Sequence, residues 1–313
     1  MNAVATPVEL KNDLLTGMEW TPAQLRDFYR LAADVKAHPD RYRRSLAGRV
    51  LVLIFEKPSL RTRVTFEVGI ANLGGTSIFL DHTAARLSER EPIRDIAKNL
   101  ERWVQGIIAR VFAQDSLEEL AKNANVPVIN ALSDRFHPCQ ALADFLTLEE
   151  RFGGLRGLKL AYVGDGNNMC HSLLTIGARA GAHLRVATPA GYEPDAAIVS
   201  DAKRVARETR ARVELFRSPE EAVAGAQAVY TDVWASMGQE AEAAKREKVF
   251  AAYQVNEKLF AQAARDAVFL HCLPAHRGLE VTPGVIDSSH SIIYDQAENR
   301  LHVQKAILHM LLT

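Results

Sequence analysis

Cysteine is scarce in this chain of 313 residues, which contains only Cys139, Cys170 and Cys272. Three dispersed thiols cannot form the disulfide framework of a small secreted domain, and they are typical of a reducing compartment. The first residues lack the charged and apolar regions of a secretory signal, and they are not Arg-rich as in a transit peptide. We therefore expect a cytoplasmic protein.

An excess of one charge and long apolar runs are also lacking. Lys and Arg total 38, Asp and Glu total 38, and the formal net charge is +0, so no broad basic surface for nucleic acid or an anionic membrane is expected. No apolar run reaches the ~18 residues that a membrane-spanning helix needs. The expected partners are small molecules, with no nucleic acid and no membrane, and any positive site must be local.

The length is typical of about two domains of ~150 residues each, and 48% hydrophobic residues suffice for a sizeable core. Strand and helix patterns alternate, which predicts parallel sheets with both faces covered. The predicted fold class is α/β: two Rossmann-like domains with parallel sheets flanked by helices, and a C-terminal helix crossing back to the first domain. The expected domains are residues 1–148 with the C-terminal helix 297–313, and residues 149–296.

Individual elements follow from apolar periodicity and from cap signals. Strands are predicted at 49–55, 76–80, 107–111, 126–130, 158–163, 183–187, 227–231, 267–271 and 291–294. Helices are predicted at 21–36, 64–73, 93–105, from Pro138 to Gly153, from 168 to Gly181 and at 297–312. The buried stripe of helix 93–105 is expected to contain Ile96, Leu100, Trp103 and Val104.

Polar residues concentrate at six places where predicted strands end, and open parallel sheets bind ligands at the carboxyl ends of their strands. These places are Ser59 to Arg63, Arg110, His137 to Gln140, Asp165 to Asn168, Asp232 to Gly238, and His271 to Gly278. Together they predict a ligand site more strongly than any single motif does.

The segment Ser59 to Arg63 follows a buried strand and leads into a helix. Its hydroxyls and guanidinium groups lie where a helix presents unpaired backbone N–H groups, and this combination suits a phosphate. The alternative is a serine N-cap followed by surface arginines.

His137 and Gln140 lie at a second predicted helix start, where Pro138 fits the first helical position. Imidazole and carboxamide groups can both donate hydrogen bonds to a carbonyl or phosphoryl oxygen. The alternative is a histidine cap and a glutamine that faces solvent.

The segment Gly164 to Asn168 invites comparison with a dinucleotide-binding turn, since it follows a strand and opens a helix. The glycine spacing does not match G-x-G-x-x-G, and the next strand ends at Ala187 to Pro189 without an acidic residue for a ribose. A nicotinamide oxidoreductase is therefore disfavoured. Asn167 and Asn168 either cap the helix or bind a small ligand.

Two later segments offer a carboxylate and a thiol. Asp232 can pair with a substrate ammonium, and Gly238 would let the following loop move; the alternative is an ordinary surface loop. Around Cys272, nearby histidines and Arg277 suggest a lowered thiol pKa, and the alternative is a small buried residue. A zinc site is disfavoured because no second ligand pair has metal spacing.

In order and spacing, these motifs resemble the aspartate/ornithine carbamoyltransferase family, and most closely its ornithine-specific members. The resemblance covers essentially the whole chain and rests on residues 55–63, 137–140, 164–168, 232–238, 271–274 and 298–302. It implies that the first domain binds carbamoyl phosphate and the second binds L-ornithine. The carbamoyl group would pass to the δ-amine, giving citrulline and phosphate, with no cofactor and no metal.

The resemblance also implies roles for particular residues. The carbamoyl phosphate set would comprise Ser59, Leu60, Arg61, Thr62, Arg110, His137, Gln140, Cys272, Leu273 and Arg300. The ornithine set would comprise Asn168, Asp232, Ser236 and Met237. The catalytic residues would be Arg61, Arg110, His137 and Cys272. Family members form homotrimers or assemblies of trimers, and the same is expected here.

Two departures from the family pattern matter. Leu60 stands where many members have threonine, but this position can act through its backbone N–H. The segment Leu87 to Pro92 lacks the lysine that aspartate-specific enzymes lend to a neighbouring subunit, and the Ser236 to Gly238 loop argues against aspartate, acetylornithine and putrescine. The alternatives are a non-catalytic phosphate-ligand sensor or inactive paralogue, and a carbamoyltransferase with another amine acceptor.

Overall fold

Two parallel β-sheets, each flanked by helices, organise the chain in a computed structural model that describes residues 13–83, 86–235 and 242–313. The predicted α/β fold class is confirmed. None of the helices in these ranges combines the length and the hydropathy that crossing a bilayer requires.

The first sheet has the strand order β2-β1-β3-β4. Its strands are β1 (Val50–Phe55), β2 (Thr76–Asp81), β3 (Gly106–Arg110) and β4 (Val128–Leu132). The accompanying helices are α1 (Pro22–Ala37), α2 (Pro39–Tyr42), α3 (Leu60–Asn72), α4 (Ile93–Trp103), α5 (Gln114–Asn123) and α6 (Pro138–Phe152). The register places Phe55 beside both Asp81 and Arg110, so the strands end level with one another.

The second sheet has the strand order β7-β6-β5-β8-β9. Its strands are β5 (Lys159–Val163), β6 (His183–Ala187), β7 (Arg212–Phe216), β8 (Ala228–Thr231) and β9 (Val268–Leu270). The helices are α7 (Asn168–Ala180), α8 (Ala196–Thr209), α9 (Pro219–Val223), α10 (Ala243–Phe250), α11 (Glu257–Phe260), α12 (Pro283–Ile286) and α13 (Ile293–Leu312), with a 3-10 helix at Ala251–Tyr253.

Local cap chemistry explains where the helices near the strand ends begin. The Ser59 hydroxyl accepts from Thr62 N at 3.3 Å and starts α3. Asn167 Oδ1 accepts from Met169 N at 2.9 Å and starts α7, whereas Pro138 occupies the first position of α6. These residues satisfy or remove N–H groups that the first helical turn leaves unpaired.

Helix α13 returns to the first sheet and packs on α1, α3 and α6, as predicted. Val303, Ile307 and Leu311 form part of its buried face. The predicted strand at 291–294 is wrong: Ser291 makes a single bridge to Phe269, and the helix begins at Ile293 rather than 297. A short apolar run fits a buried strand and a first helical turn equally well.

Two further differences concern exposed elements. Strand β7 was not predicted, because Arg212 and Glu214 interrupt its apolar residues at the edge of the sheet. Trp103 does not belong to the buried stripe of α4: its side chain is 67% exposed, and Ile93 and Ala97 line that stripe with Leu100.

The two sheets share one continuous apolar core, which runs through α6, α7 and α13. Gly177 permits the close contact of α7 with α6, since a Cβ there would lie 2.6 Å from Phe145 Cζ. The described residues of the six polar segments follow the carboxyl ends of strands in these two sheets.

Candidate active site

Three helices meet around the buried guanidinium group of Arg300. Its Nη2 donates to Thr62 Oγ1 of α3 at 2.6 Å, and its Nη1 donates to Gln140 Oε1 of α6. Arg300 itself belongs to α13, so residues 238 positions apart in the chain are hydrogen-bonded. The structure thus brings together residues from three of the motifs in the predicted carbamoyl phosphate set.

Positive charge is concentrated at this point. Arg110 ends β3 and is buried; burial, Arg300 and Arg61 lower its pKa to about 9. Burial and the neighbouring Arg61 also lower the pKa of Arg300. Guanidinium groups whose pKa is lowered by burial and by a neighbouring guanidinium favour the binding of an anion.

The N-terminus of α3 faces the same cluster. Ser59 caps the helix, as the alternative interpretation held, but capping leaves backbone N–H groups of the first turn available to a ligand. The Leu60 side chain is 75% exposed, so Leu60 would meet a ligand through its main chain. Arg63 is not part of the cluster: its Nε donates to Glu67, and its guanidinium lies 3.6 Å from the Phe79 ring centroid.

His137 contributes a neutral imidazole. Burial, Arg300 and Arg110 hold the pKa of His137 well below its ordinary value. Its main-chain N–H donates to Ser172 Oγ of α7 at 2.7 Å, and its Nδ1 has no hydrogen-bond partner among the residues described. A neutral imidazole carries one N–H, which it can donate to an oxygen that becomes negative.

Asp232 and Cys272 form the centre of the second half of the site. Asp232 Oδ1 accepts from Cys272 Sγ at 3.0 Å, and Oδ2 accepts from Asn167 Nδ2 at 2.9 Å. Asn168, the other asparagine, donates from Nδ2 to Ser133 O at 2.7 Å, which links α7 to the loop after β4. Ser236 and Met237 lie outside the described residues.

The hypothesis of a lowered thiol pKa is wrong. Burial and then Asp232 raise the pKa of Cys272 well above its ordinary value. The other groups of the motif have partners of their own: His271 Nδ1 accepts from Leu273 N, and Arg277 pairs with Asp287. A thiol beside a carboxylate stays protonated, because the thiolate would be repelled.

Asp232, His271 and Cys272 place their ligand atoms within 4.8 Å of one another, so this trio is the group in the described ranges that could hold a metal ion. A metal there would have to displace the Cys272–Asp232 hydrogen bond. The expectation that no metal is needed stays a prediction.

Leu273 has left-handed backbone, with φ of +60°, and a cis peptide bond joins it to Pro274. Its N–H donates to His271 Nδ1 at 2.9 Å, which holds the turn after β9. Non-glycine residues in this conformation cluster at ligand sites, where surrounding contacts maintain them.

Sequence reasoning missed three buried polar residues beside the site. Glu56 accepts from the main-chain N–H groups of Leu87 and Phe112, each at 2.7 Å, and so ties together the loops after β1, β2 and β3. Asp144 and Gln296 form hydrogen bonds behind Gln140. The spacing of Asp144, one helical turn after Gln140, was the available signal.

Cys272 is expected to react slowly with iodoacetamide near pH 7, because its raised pKa leaves little thiolate. The rate should continue to rise above pH 9, beyond the ~8.5 of an ordinary thiol. Mass spectrometry of the digested protein measures each site, and the fully buried Cys139 and Cys170 serve as internal references. Asp232→Asn should accelerate the reaction by removing the negative charge; rapid labelling of the unmutated protein at pH 7 would contradict the assignment.

Sequence similarity to known proteins confirms the family resemblance. Residues 12–150 match the carbamoyl-P binding domain of aspartate/ornithine carbamoyltransferases, and residues 156–311 match the Asp/Orn binding domain. Ornithine carbamoyltransferase from Halalkalibacterium halodurans is 52% identical over 305 residues, covering 96% of this chain and 95% of that protein. The one from Anoxybacillus flavithermus is 51% identical over 100% of both chains.

A solved structure shows the same similarity. Ornithine carbamoyltransferase from Pyrococcus furiosus superposes with a TM-score of 0.93 at 49% identity, covering 96% of this chain and 97% of that one. The chain therefore belongs to the aspartate/ornithine carbamoyltransferase family.

Proposed function

We propose that this chain transfers the carbamoyl group of carbamoyl phosphate to the δ-amine of L-ornithine, giving L-citrulline and phosphate. The observation that carries the proposal is the proximity of two half-sites: a guanidinium cluster around Arg300, and the hydrogen-bonded pair of Asp232 and Cys272. Cys272 lies close enough to Arg110 and Arg300 to influence the pKa of both. Identities near 50% to ornithine carbamoyltransferases over nearly the whole chain support the acceptor.

The donor substrate occupies the first half-site in this proposal. The phosphate is held by Ser59, the backbone N–H of Leu60, Arg61, Thr62, Arg110 and Arg300. Arg110 also reaches the carbonyl oxygen, while His137 and Gln140 hold the carbamoyl group. This assignment is supported by the helix N-terminus and by the lowered pKa values of Arg110 and Arg300.

Ornithine occupies the second half-site. Asp232 takes the α-ammonium, and Asn168 with the Ser236 and Met237 backbone takes the α-carboxylate. Cys272 and the Leu273 carbonyl lie beside the reacting δ-amine and the carbamoyl group. The raised pKa of Cys272 supports a protonated thiol that neighbours the amine rather than a nucleophile.

The reaction then needs three electronic steps. The δ-amine lone pair attacks the carbonyl carbon, and the C=O pair moves to oxygen to form a tetrahedral oxyanion. Donors from Arg61, Arg110 and His137 stabilise this charge. Reformation of the carbonyl expels phosphate with its C–O bonding pair, and phosphate accepts the amine proton. The same positive field favours the neutral amine over the ammonium, and alignment of both substrates supplies much of the rate.

We also propose the domain division, residues 1–148 with helix 297–313 and residues 149–296, with carbamoyl phosphate on the first domain and ornithine on the second. The packing of α13 on α1, α3 and α6 supports it. We place the enzyme in the cytoplasm, in arginine biosynthesis or catabolism; its three free cysteines are consistent with a reducing compartment.

A homotrimer, or an assembly of trimers, is the proposed state. Leu60, Val64 and Val68 are 75%, 47% and 40% exposed, respectively, and form one apolar stripe along α3. Ile78, 46% exposed on the edge strand β2, adds to the exposed apolar surface of this domain. Exposed apolar patches of this kind mark protein contacts. Light scattering measures the assembly, and a monomeric mass would contradict the proposal.

The function is tested by measuring ureido product from carbamoyl phosphate with ornithine, aspartate, N-acetylornithine and putrescine in parallel, without added metal. Citrulline alone is expected. Product from another amine in place of ornithine would retain the carbamoyltransferase chemistry and refute the acceptor. Lack of product with every acceptor would favour the non-catalytic sensor.

A further inference from the structure

A buried carboxylate with no assigned role lies one helical turn beyond Gln140. Asp144 is inaccessible to solvent on α6, and its Oδ1 accepts from Gln140 Nε2 at 2.8 Å and from Gln296 Nε2 at 2.7 Å. An ionised carboxylate only accepts hydrogen bonds. The Asp144 carboxylate therefore requires that the Nε2 group of Gln140 and that of Gln296 both point towards it.

For Gln140, this orientation turns the carboxamide oxygen towards the donor half-site. Arg300 Nη1 donates to that oxygen. A carbonyl oxygen has two lone pairs, so one remains for the N–H groups of a carbamoyl ligand. In the opposite orientation, the Gln140 carboxamide would point its N–H groups at the Arg300 guanidinium and at the carbamoyl nitrogen. Hydrogen-bond donors would then face donors on both sides.

The same carboxylate reaches the other half-site through Gln296. Gln296 belongs to α13, and its Oε1 accepts from the main-chain N–H of His271 at 3.0 Å. The next residue is Cys272, which donates to Asp232. Asp144 thus lies between the two half-sites and is hydrogen-bonded towards both.

We propose that Asp144 is a positioning residue, which orients the Gln140 carboxamide so that its oxygen receives the carbamoyl N–H groups of the donor substrate. This inference rests on the proposed function, because carbamoyl phosphate is the ligand concerned. Asp144 acts through Gln140 and does not itself touch the substrate.

Charged and titratable groups from several elements surround Asp144. Arg300 faces it from α13, Tyr230 from β8 and Tyr29 from α1, and Gln140 and Gln296 donate to it. Burial raises the pKa of Asp144 to about 7, against the lowering effect of these donors and of Arg300. Binding measurements at about pH 8 therefore examine the ionised carboxylate.

The first test compares Asp144→Ala with the unmutated protein by calorimetry, using carbamoyl phosphate and inorganic phosphate. Carbamoyl phosphate affinity should fall about tenfold or more, which corresponds to ~1.4 kcal/mol. Phosphate affinity should change less than about twofold, because the phosphate contacts do not include Gln140. An equal loss for both ligands would overturn the proposal.

Thr147→Val provides a matched control. Thr147 lies one turn further along α6 and accepts from Asn299 Nδ2 of α13 at 2.9 Å, so the variant breaks a buried contact between the same two helices. It should leave the affinity for both ligands unchanged. A selective loss of carbamoyl phosphate affinity in Thr147→Val as well would show that loosened helix packing is the cause, and would overturn the proposal.

The second test exchanges the hydrogen-bond donor and acceptor between residues 140 and 144, and it preserves the size of both side chains. Gln140→Glu alone places two carboxylates in contact and should weaken carbamoyl phosphate binding. Adding Asp144→Asn supplies an amide donor to the new carboxylate, whose other oxygen still faces Arg300. The double variant should bind at least about tenfold more tightly than Gln140→Glu; lack of recovery would overturn the orientation argument.

Binding and turnover by the unmutated protein separate a failure of the proposed function from a failure of the Asp144 proposal. Unmutated protein that binds carbamoyl phosphate but carbamoylates no acceptor would refute the proposed function, while the Asp144 comparison would still be decisive. Unmutated protein that does not bind carbamoyl phosphate would refute both.

Discussion

Arg61→Ala is expected to lower the affinity for carbamoyl phosphate about 10³-fold, equivalent to ~4 kcal/mol. The side chain lies close enough to Arg110 and Arg300 to lower the pKa of both. Truncating one partner of a desolvated charge pair typically costs 2–5 kcal/mol. Turnover should fall further, because the same guanidinium would stabilise the oxyanion and the leaving phosphate. Calorimetry measures the first effect and citrulline formation the second.

Arg63→Ala is the matched control for this loss. It removes an equal charge from the same helix, but Arg63 is bonded to Glu67 and stacked on Phe79, away from the cluster. Its affinity for carbamoyl phosphate should stay within about threefold of the unmutated value. Normal binding by Arg61→Ala would show that the phosphate site has been placed wrongly, and equal losses in both variants would indicate only a general effect of charge.

The cap signals of the helices at the site could be predicted because they are local, although the helix predicted at 64–73 begins at Leu60. Ser59, Pro138 and Asn167 act within one turn of their own position, through caps or a fixed backbone angle. The edge strand β7 and the start of α13 could not be predicted from the sequence, because short segments take their secondary structure from the elements that pack against them. Trp103 likewise has the right spacing for a buried stripe yet lies on the exposed side of α4.

The electrostatics of the site depended on contacts that sequence does not reveal. Cys272 has histidines and Arg277 as sequence neighbours, but its side-chain partner is Asp232, 40 residues earlier, and this contact reverses the direction of the pKa shift. Asp144 shows the same limitation. Its spacing from Gln140 is visible in the sequence, whereas Gln296, 152 residues later, is not.

Asp232→Ala is expected to spare carbamoyl phosphate binding and to raise the KM for ornithine at least about 10²-fold. Asp232 belongs to the second half-site, and the carboxylate is the proposed partner of the substrate α-ammonium. Loss of such a charge-assisted contact typically costs 2–5 kcal/mol. The substitution also removes the acceptor of the Cys272 thiol and of Asn167, so kcat should fall as well. Steady-state kinetics with each substrate varied, together with calorimetry for carbamoyl phosphate, measure these effects separately.

Asp195→Ala is the control for Asp232→Ala. It removes a negative charge from the same domain, at a residue outside the proposed ornithine set. Asp195 caps α8 through the N–H groups of Ala197 and Ile198 and pairs with Arg135. Its removal should cost ~1 kcal/mol of folding stability, as cap losses do, and should leave both KM values unchanged. If Asp232→Ala instead weakened carbamoyl phosphate and ornithine equally, Asp232 would support the architecture of the whole site. The assignment of one substrate to each half-site would then have to be abandoned.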